Sequence, residues 1–333
     1  MTAKATTSAD NSSQPGNKAL GLYLNPRNWH VVVGLFFLKW FHLLLPFSFK
    51  LRMCRWIGTA VHSIAGKRRH VADTNIGICF PDLEPSERDA FVQANFQHWA
   101  FALVETAMGW FGKAGAATDN LDVVGAEHFE QAWQQGRGVI LLGAHFSTID
   151  LGSTLFRHHF GHDIPVHAVY RDQKNPLFNY VMNKQRGRNA TSVVPKSNMR
   201  QIVRLLRRKE VVWYAPDHDF GETSSVFVPF FGHAAATLTT TSKLASLNKS
   251  PVVMMSHFRH ADDKGYTLKF FPALTGFPSG DDEKDATAVN LVIETAVRDA
   301  PEQYMWIHKR FKTQPGLPGN TIYAKSKAPV KTA

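Results

Sequence analysis

Seven short apolar runs, at residues 139–142, 166–170, 192–194, 211–215, 227–231, 252–256 and 266–271, constrain this chain more than any other feature. Each has the length and the β-branched or aromatic content of a strand. Helical patterns fall between and around them. Residues 198–209 carry Met199, Ile202, Val203 and Leu206 on one face, with Arg200, Arg204, Arg207 and Arg208 elsewhere. A helix is expected to begin near Ser86, with acidic residues in its first turn and Phe91, Ala94 or Asn95, His98 and Ala102 at helical spacing; another is expected from about Glu283 to Arg298. This alternation predicts an α/β fold, with a mixed, largely parallel sheet flanked by helices. In such sheets, sites collect where strands end and helices begin.

The N-terminal region is built differently. Residues 1–25 are expected to form a disordered tail, since the first twenty are rich in Ser, Thr and Ala and show no apolar period. Residues 31–49 contain one formal charge, Lys39, in a stretch about long enough to cross a hydrocarbon core. Lys4, Lys18 and Arg27 precede it, whereas Lys50, Arg52, Arg55, Lys67, Arg68 and Arg69 follow closely. That bias predicts a membrane anchor over residues 26–50, single-pass or monotopic, with everything downstream on the cytoplasmic face. Lys39, His42 and Pro46 interrupt the run, as they would in a buried or interfacial helix. The catalytic domain is expected over 51–315, and residues 316–333 are expected to form a flexible tail.

The formal charge of +11 favours anionic partners: nucleic acid, acidic lipid headgroups, phosphorylated substrates or an acidic carrier protein. No recognised nucleic-acid motif accompanies it. The two cysteines, Cys54 and Cys79, form no CxxC pair, so neither a disulfide framework nor a thiolate zinc site is expected.

The segment GVILLGAHFSTIDLG, residues 138–152, places His145 just beyond a strand and five positions before Asp150. Fully extended, that spacing separates the two by roughly 16 Å, so they meet only if the chain coils between them, with Ser147 as the expected helix N-cap. A carboxylate beside the imidazole would fix its tautomer and leave the other nitrogen to take a proton, which is general-base chemistry. The competing structural account is that Ser147 and Asp150 form a capping box. Further along, Asp217, His218 and Asp219 follow the apolar run VVWYA, and Arg186 lies in the basic segment KQRGR. A guanidinium there would grip phosphate oxygens bidentately. His145, Asp217, His218 and Asp219 could alternatively bind a metal, as in a metal-dependent phosphoesterase. A basic membrane-tethered binding protein is a third reading.

HFSTIDLG resembles the HxxxxD/E motif of the glycerol-phosphate acyltransferases, and specifically of the bacterial lipid A biosynthesis acyltransferases. VYRDQKNPLFN (169–179), KQRGR (184–188), EVVWYAPDHDFG (210–221), SVFVPFFG (225–232) and PEQYMWIHKRFKTQP (301–315) resemble further blocks of that family, in its order. The resemblance implies a glycerol-phosphate acyltransferase-like fold on the inner membrane and a reaction without a cofactor. The implied donor is an acyl-[acyl carrier protein], and the implied acceptor is a hydroxyl on a hydroxyacyl chain of a Kdo-lipid A precursor. His145 would be the base and Asp150 its orienting partner, with Arg186, Asp217, Arg171 and Asp219 at the substrate. Nucleic acid is not an expected partner. The chain departs from the family pattern at Asp150, where many of its members carry Glu.

Overall fold

The computed structural model describes residues 15–112 and 114–324. The N-terminal part is helical: α1 (Pro15–Leu24), α2 (Trp29–Leu44), α3 (Phe47–Ile64), α4 (Gly66–Cys79) and α5 (Pro85–Phe111). After α6 (Gly115–Thr118), strands and helices alternate as β1 (Leu121–Val124), α7 (Ala126–Gln134), β2 (Val139–Leu142), α8 (Gly152–Phe160), β3 (Val166–Tyr170), α9 (Pro176–Arg186), β4 (Ser192–Pro195), α10 (Met199–Arg207) and β5 (Val211–Tyr214). The remainder is β6 (Ser225–Phe230), β7 (His233–Leu238), α11 (Thr240–Asn248), β8 (Val252–Arg259), β9 (Tyr266–Phe270) and α12 (Asp282–Asp299).

Seven strands form one sheet in the order β1-β9-β8-β2-β5-β3-β4, in which only β8 and β9 pair antiparallel. Strands β6 and β7 form a separate antiparallel pair. The expected mixed, largely parallel α/β sheet is therefore present. All seven apolar runs are strands, and β1 and β7 join them. Strand β1 is only four residues long, and β7 (HAAATL) is too rich in alanine to read as a strand.

Successive residues of a strand face opposite sides of the sheet. Ile140, Leu142, Val212, Val252 and Met254 accordingly enter a core shared with α4, α10, α11 and α12. Val139, Leu141, Val211, Val253 and Met255 enter the other, shared with α7 and α8. Helix α5 serves both, with Val92 and Phe96 in the first core and Phe101, Val104 and Met108 in the second. Covered on both faces, β2 is wholly buried, as the central strand of a parallel sheet must be.

The expected anchor is divided at Pro46. Leu45 takes the extended conformation that a following proline favours, and the apolar run is split between α2 and α3. At 16 residues α2 measures about 24 Å, short of a hydrocarbon core of about 30 Å. Among the described residues no helix is long and apolar enough to cross a membrane. Helix α3 instead packs along α5 through Lys50, Cys54, Gly58 and His62, one residue per turn. Gly58 is required there, since a Cβ would lie 2.4 Å from Gln97 Cα.

Residues 15–24, assigned to the disordered tail, form α1, while residues 1–14 lie outside the described residues. Part of the C-terminal tail is packed: Tyr323 is buried and donates its hydroxyl to Asn75 Oδ1 at 2.6 Å. Residues 325–333 again lie outside the described residues.

Helix α5 also supports the loop after β2. A Cβ at Gly109 would lie 2.3 Å from the Asp150 carbonyl oxygen, and neither backbone can yield alone. Gly109→Ala should therefore destabilise the protein by roughly 1–3 kcal/mol through overpacking, measured by urea denaturation. An unchanged midpoint would show that the two backbones are not held in this contact.

Candidate active site

Strands β2 and β5 are parallel neighbours with Leu142 opposite Tyr214. His145 and Asp217 each follow three residues later, so the register brings them level beyond the strand ends. The Gly143 amide continues the ladder to the Tyr214 carbonyl at 2.9 Å. A Cβ at Gly143 would lie 2.6 Å from the Trp213 indole, so glycine lets the two chains leave the sheet together.

The Asp217 carboxylate holds His145 at two points. The ring Nδ1 lies 2.7 Å from Oδ1, and the His145 backbone amide donates to Oδ2 at 2.9 Å. Burial alone would push the Asp217 carboxyl up. The charge on His145 and these hydrogen bonds outweigh that, holding it well below the usual carboxylate range. An ionised carboxylate only accepts, so Nδ1 carries a proton, and in the neutral form of the ring the lone pair is on Nε2. The His145 side chain is 22% exposed and that of Asp217 is fully buried, so the imidazole meets solvent while its partner does not.

The His145 ring stacks on His218 at 3.7 Å between centroids, and His218 stacks on His308 at 3.8 Å, each pair inclined by 15°. Burial pushes His218 down to about 3 and His308 down to about 4, with the attraction of Asp217 only partly opposing it. Both are neutral at physiological pH. Tyr304 is buried beside Asp217, and burial followed by that negative charge raises its phenol well above the ordinary value.

The loop around His145 is held by the chain's C-terminal segment. Met305 N donates to the His145 carbonyl at 2.9 Å and Ser147 N to the Gln303 carbonyl at 2.8 Å. That segment is gripped in turn by two buried asparagines. Asn95 donates to the Glu302 and Tyr304 carbonyls, each at 2.7 Å, and Asn75 to those of Trp306 and His308 at 2.6 and 2.7 Å. Thr148 Oγ1 closes the far side of the loop on His257, donating to its carbonyl at 2.6 Å and lying 2.7 Å from its Nδ1.

Asp150 is not the partner of His145 in this arrangement. Residues 147–151 form turns, and α8 begins only at Gly152 with Leu151 as N-cap, so neither the Ser147 cap nor the capping box is present. Asp150 Oδ1 instead accepts from Arg186 Nε at 2.6 Å, at the end of α9. Asp219, expected at the substrate, is bound within the chain. It is fully buried, and its oxygens accept from Gly221 N, Thr313 N and the Thr313 hydroxyl at 2.7–2.9 Å, so it ties down the C-terminal segment. Arg171 is exposed in a cleft of about 510 Å³ at the end of β3.

Metal-binding atoms of His145, Asp217 and His218 lie within 4.8 Å of one another. A metal must lie near the plane of each ligating ring, about 2.0–2.1 Å from its nitrogen. Two rings stacked face to face direct their lone pairs into separate, nearly parallel planes, so the set does not fit a shared ion as arranged. Asp219, turned toward Thr313, does not complete it. His308 and Tyr304 belong to the site but went unassigned by sequence reasoning, although both lie in the PEQYMWIHKRFKTQP block.

Residues 18–313 match the family of bacterial lipid A biosynthesis acyltransferases. The chain is 37% identical over 297 residues to the lipid A biosynthesis lauroyltransferase of Escherichia coli (strain K12), covering 89% of this chain and 95% of that protein. It is 35% identical over 294 residues to the palmitoleoyltransferase of the same organism, covering 88% and 94%. To the myristoyltransferase it is 26% identical over 293 residues, covering 88% and 90%. A glycine-relieved strand exit, a buried carboxylate and an open imidazole nitrogen thus lie inside a match that spans most of the sequence, and the chain belongs to the bacterial lipid A biosynthesis acyltransferases.

Proposed function

We propose that this acyltransferase moves a lauroyl or myristoyl group from an acyl carrier protein thioester to a hydroxyl of a hydroxyacyl chain on a Kdo-lipid A precursor. The observation that carries the reading is the His145 pair with Asp217, which leaves Nε2 open. In the proposed reaction Nε2 takes the acceptor hydroxyl proton as the oxygen attacks the thioester carbonyl. The C–S bond then breaks, and the departing thiolate takes the proton back from the His145 imidazolium. No acyl-enzyme is formed. Asp217 stabilises the imidazolium by charge, and the neutral face of His218 does so by cation–π attraction. Arg186, oriented by Asp150, is proposed to hold an acceptor phosphate, and Arg171 to lie in the same substrate cleft.

Two surfaces support the proposed partners. On α10, Ile202, Leu205 and Leu206 are buried while Arg200, Arg204 and Arg207 are exposed, a cationic face suited to an acidic carrier protein. On α2 and α3, Val33, Phe36, Trp40, Leu44, Trp56 and Ile64 are exposed, as on helices lying in the interface of a membrane. We therefore favour a monotopic attachment to the inner membrane, with the site on the cytoplasmic side.

His145→Ala and Asp217→Asn should each lower kcat by roughly 10²–10⁴-fold in an assay with purified acyl carrier thioester and tetraacylated precursor. Asp150→Asn should act mainly on the acceptor KM, and Arg204→Glu with Arg207→Glu on the KM of the carrier. Equal loss of kcat in Asp150→Asn and Asp217→Asn, with both folded, would reject this division of roles.

Attachment is tested by flotation of the full chain with anionic vesicles. Wild type should float, and Phe36→Ser with Trp40→Ser should largely remain below. Equal flotation would assign attachment to another surface.

The neutral histidines set a pH dependence. Unfolded, His218 and His308 titrate near pH 6.5, so below about that pH the unfolded chain binds more protons and stability falls as the pH drops toward their folded values of about 3 and about 4. The urea midpoint of His218→Phe should therefore fall less than that of wild type over this acid range. Identical slopes would mean that His218 is not held neutral.

A further inference from the structure

The cleft that contains Arg171 adjoins an apolar cavity of about 390 Å³ between α2, α3 and α5. The cavity's lining is entirely non-polar apart from the Cys54 thiol, and includes Leu35, Phe41, Ile57, Leu103 and Val104. Val31 and Phe178 line both spaces, so they meet across two side chains. Both volumes lie within the ~300–1,000 Å³ usual for small-molecule sites. The shared wall is fixed from outside: Asn175, the N-cap of α9, accepts from Phe178 N at 2.9 Å and donates to Asn28 Oδ1 at 3.0 Å just before α2.

The two halves differ in chemistry. In the cleft, Arg171 and Lys174 are exposed, and no ion pair of either is found among the described residues. Asp172 also faces it, but accepts from Asn179 Nδ2 at 3.2 Å, and the local charge remains positive. A cationic cleft that shares a two-residue wall with an apolar cavity matches a molecule whose anionic head and hydrocarbon chain are joined by a few bonds. The position also fits. Ala168 of β3 pairs with Trp213 of β5, which sets Arg171 level with Pro216, one strand from Asp217. Neighbouring strands lie about 4.8 Å apart.

We propose that these two spaces form one lipid-holding site, with a phosphate on Arg171 and Lys174 and one acyl chain in the cavity between α2, α3 and α5. This deepens the reading above, in which the acceptor is a phosphorylated lipid, by assigning the place where that lipid is held beside His145. The chain lies under α2, whose opposite face presents Phe36 and Trp40, so a lipid enters sideways from the surface on which the protein rests. Burial of the chain drives binding, and the cations select the head.

The test is binding of dioctanoyl phosphatidic acid, dioctanoylglycerol and inorganic phosphate to the full chain in non-ionic detergent, by titration calorimetry. Gly34 lines the cavity and has open space where a Cβ would stand, so Gly34→Phe fills the cavity without striking the backbone. Gly34→Leu is the milder version, and thermal melts confirm folding of each. Phosphatidic acid binding should weaken at least tenfold in Gly34→Phe and in Arg171→Gln with Lys174→Gln. Dioctanoylglycerol should respond only to the Gly34 variants, and inorganic phosphate only to the paired Gln variant. His145→Ala should bind phosphatidic acid as wild type does. Unchanged phosphatidic acid affinity in either folded variant, or equal affinity for phosphatidic acid and dioctanoylglycerol in wild type, overturns the site. Wild type that binds lipid but transfers no acyl group would leave the site standing and remove the proposed reaction instead.

Discussion

The parallel pairing of β2 with β5 is the constraint on which the rest of the site depends. With Leu142 opposite Tyr214, any two side chains the same number of residues beyond those positions emerge level, and His145 and Asp217 do so at three. The pairing is fixed by both cores at once. Ile140 and Leu142 enter one and Val139 and Leu141 the other, and a shift of one residue would exchange the two sets. The sheet's packing and the base's alignment are thus enforced by the same contacts. Gly143 adds the remaining condition, because a side chain there would meet Trp213 and force the two strand exits apart.

A buried charge beside an open base needs compensation, and the surrounding structure supplies it locally. Both Asp217 oxygens accept from His145 itself, so the charge is matched within one residue. The remaining space is closed by Tyr304 and by imidazoles that burial keeps neutral. Neutrality matters for the chemistry, because a charged ring stacked at 3.7 Å would oppose protonation of His145, while a neutral one offers it an aromatic face. Much of this closure comes from residues 302–308, which Asn75 and Asn95 hold through backbone carbonyls from helices early in the chain. The site is therefore complete only when both ends of the sequence have packed.

The mixed, largely parallel sheet was legible because buried parallel strands are short, apolar and separated by amphipathic helices. His145 and Asp217 were legible as strand-end residues for the same reason. Their pairing was not, since proximity in sequence favoured Asp150, and the register that unites β2 with β5 spans 72 residues of separation. The turns at 147–151 carry Asp150 toward α9, where Arg186 takes it. Asp219, adjacent to the site in sequence, points to Thr313 and fastens the C-terminal segment, a partner 94 residues away that spacing could not show. The anchor prediction weighed the apolar run as a whole, whereas Pro46 and the one-per-turn stripe of Lys50, Cys54, Gly58 and His62 divide it into helices that lie on α5.

That division changes what the N-terminal helices are for. A spanning helix would tether the domain and contribute little else. Two helices lying along α5 instead form a wall with apolar side chains exposed on one side and a cavity on the other. The cavity shares Phe178 and Val31 with the cleft beyond β3, and that cleft lies on the same sheet edge as His145 and Asp217. In the proposed reading, surface attachment, lipid entry and proton abstraction share one geometry. The parallel sheet sets the height of the base, and the helices packed on α5 set the height at which a lipid would meet it.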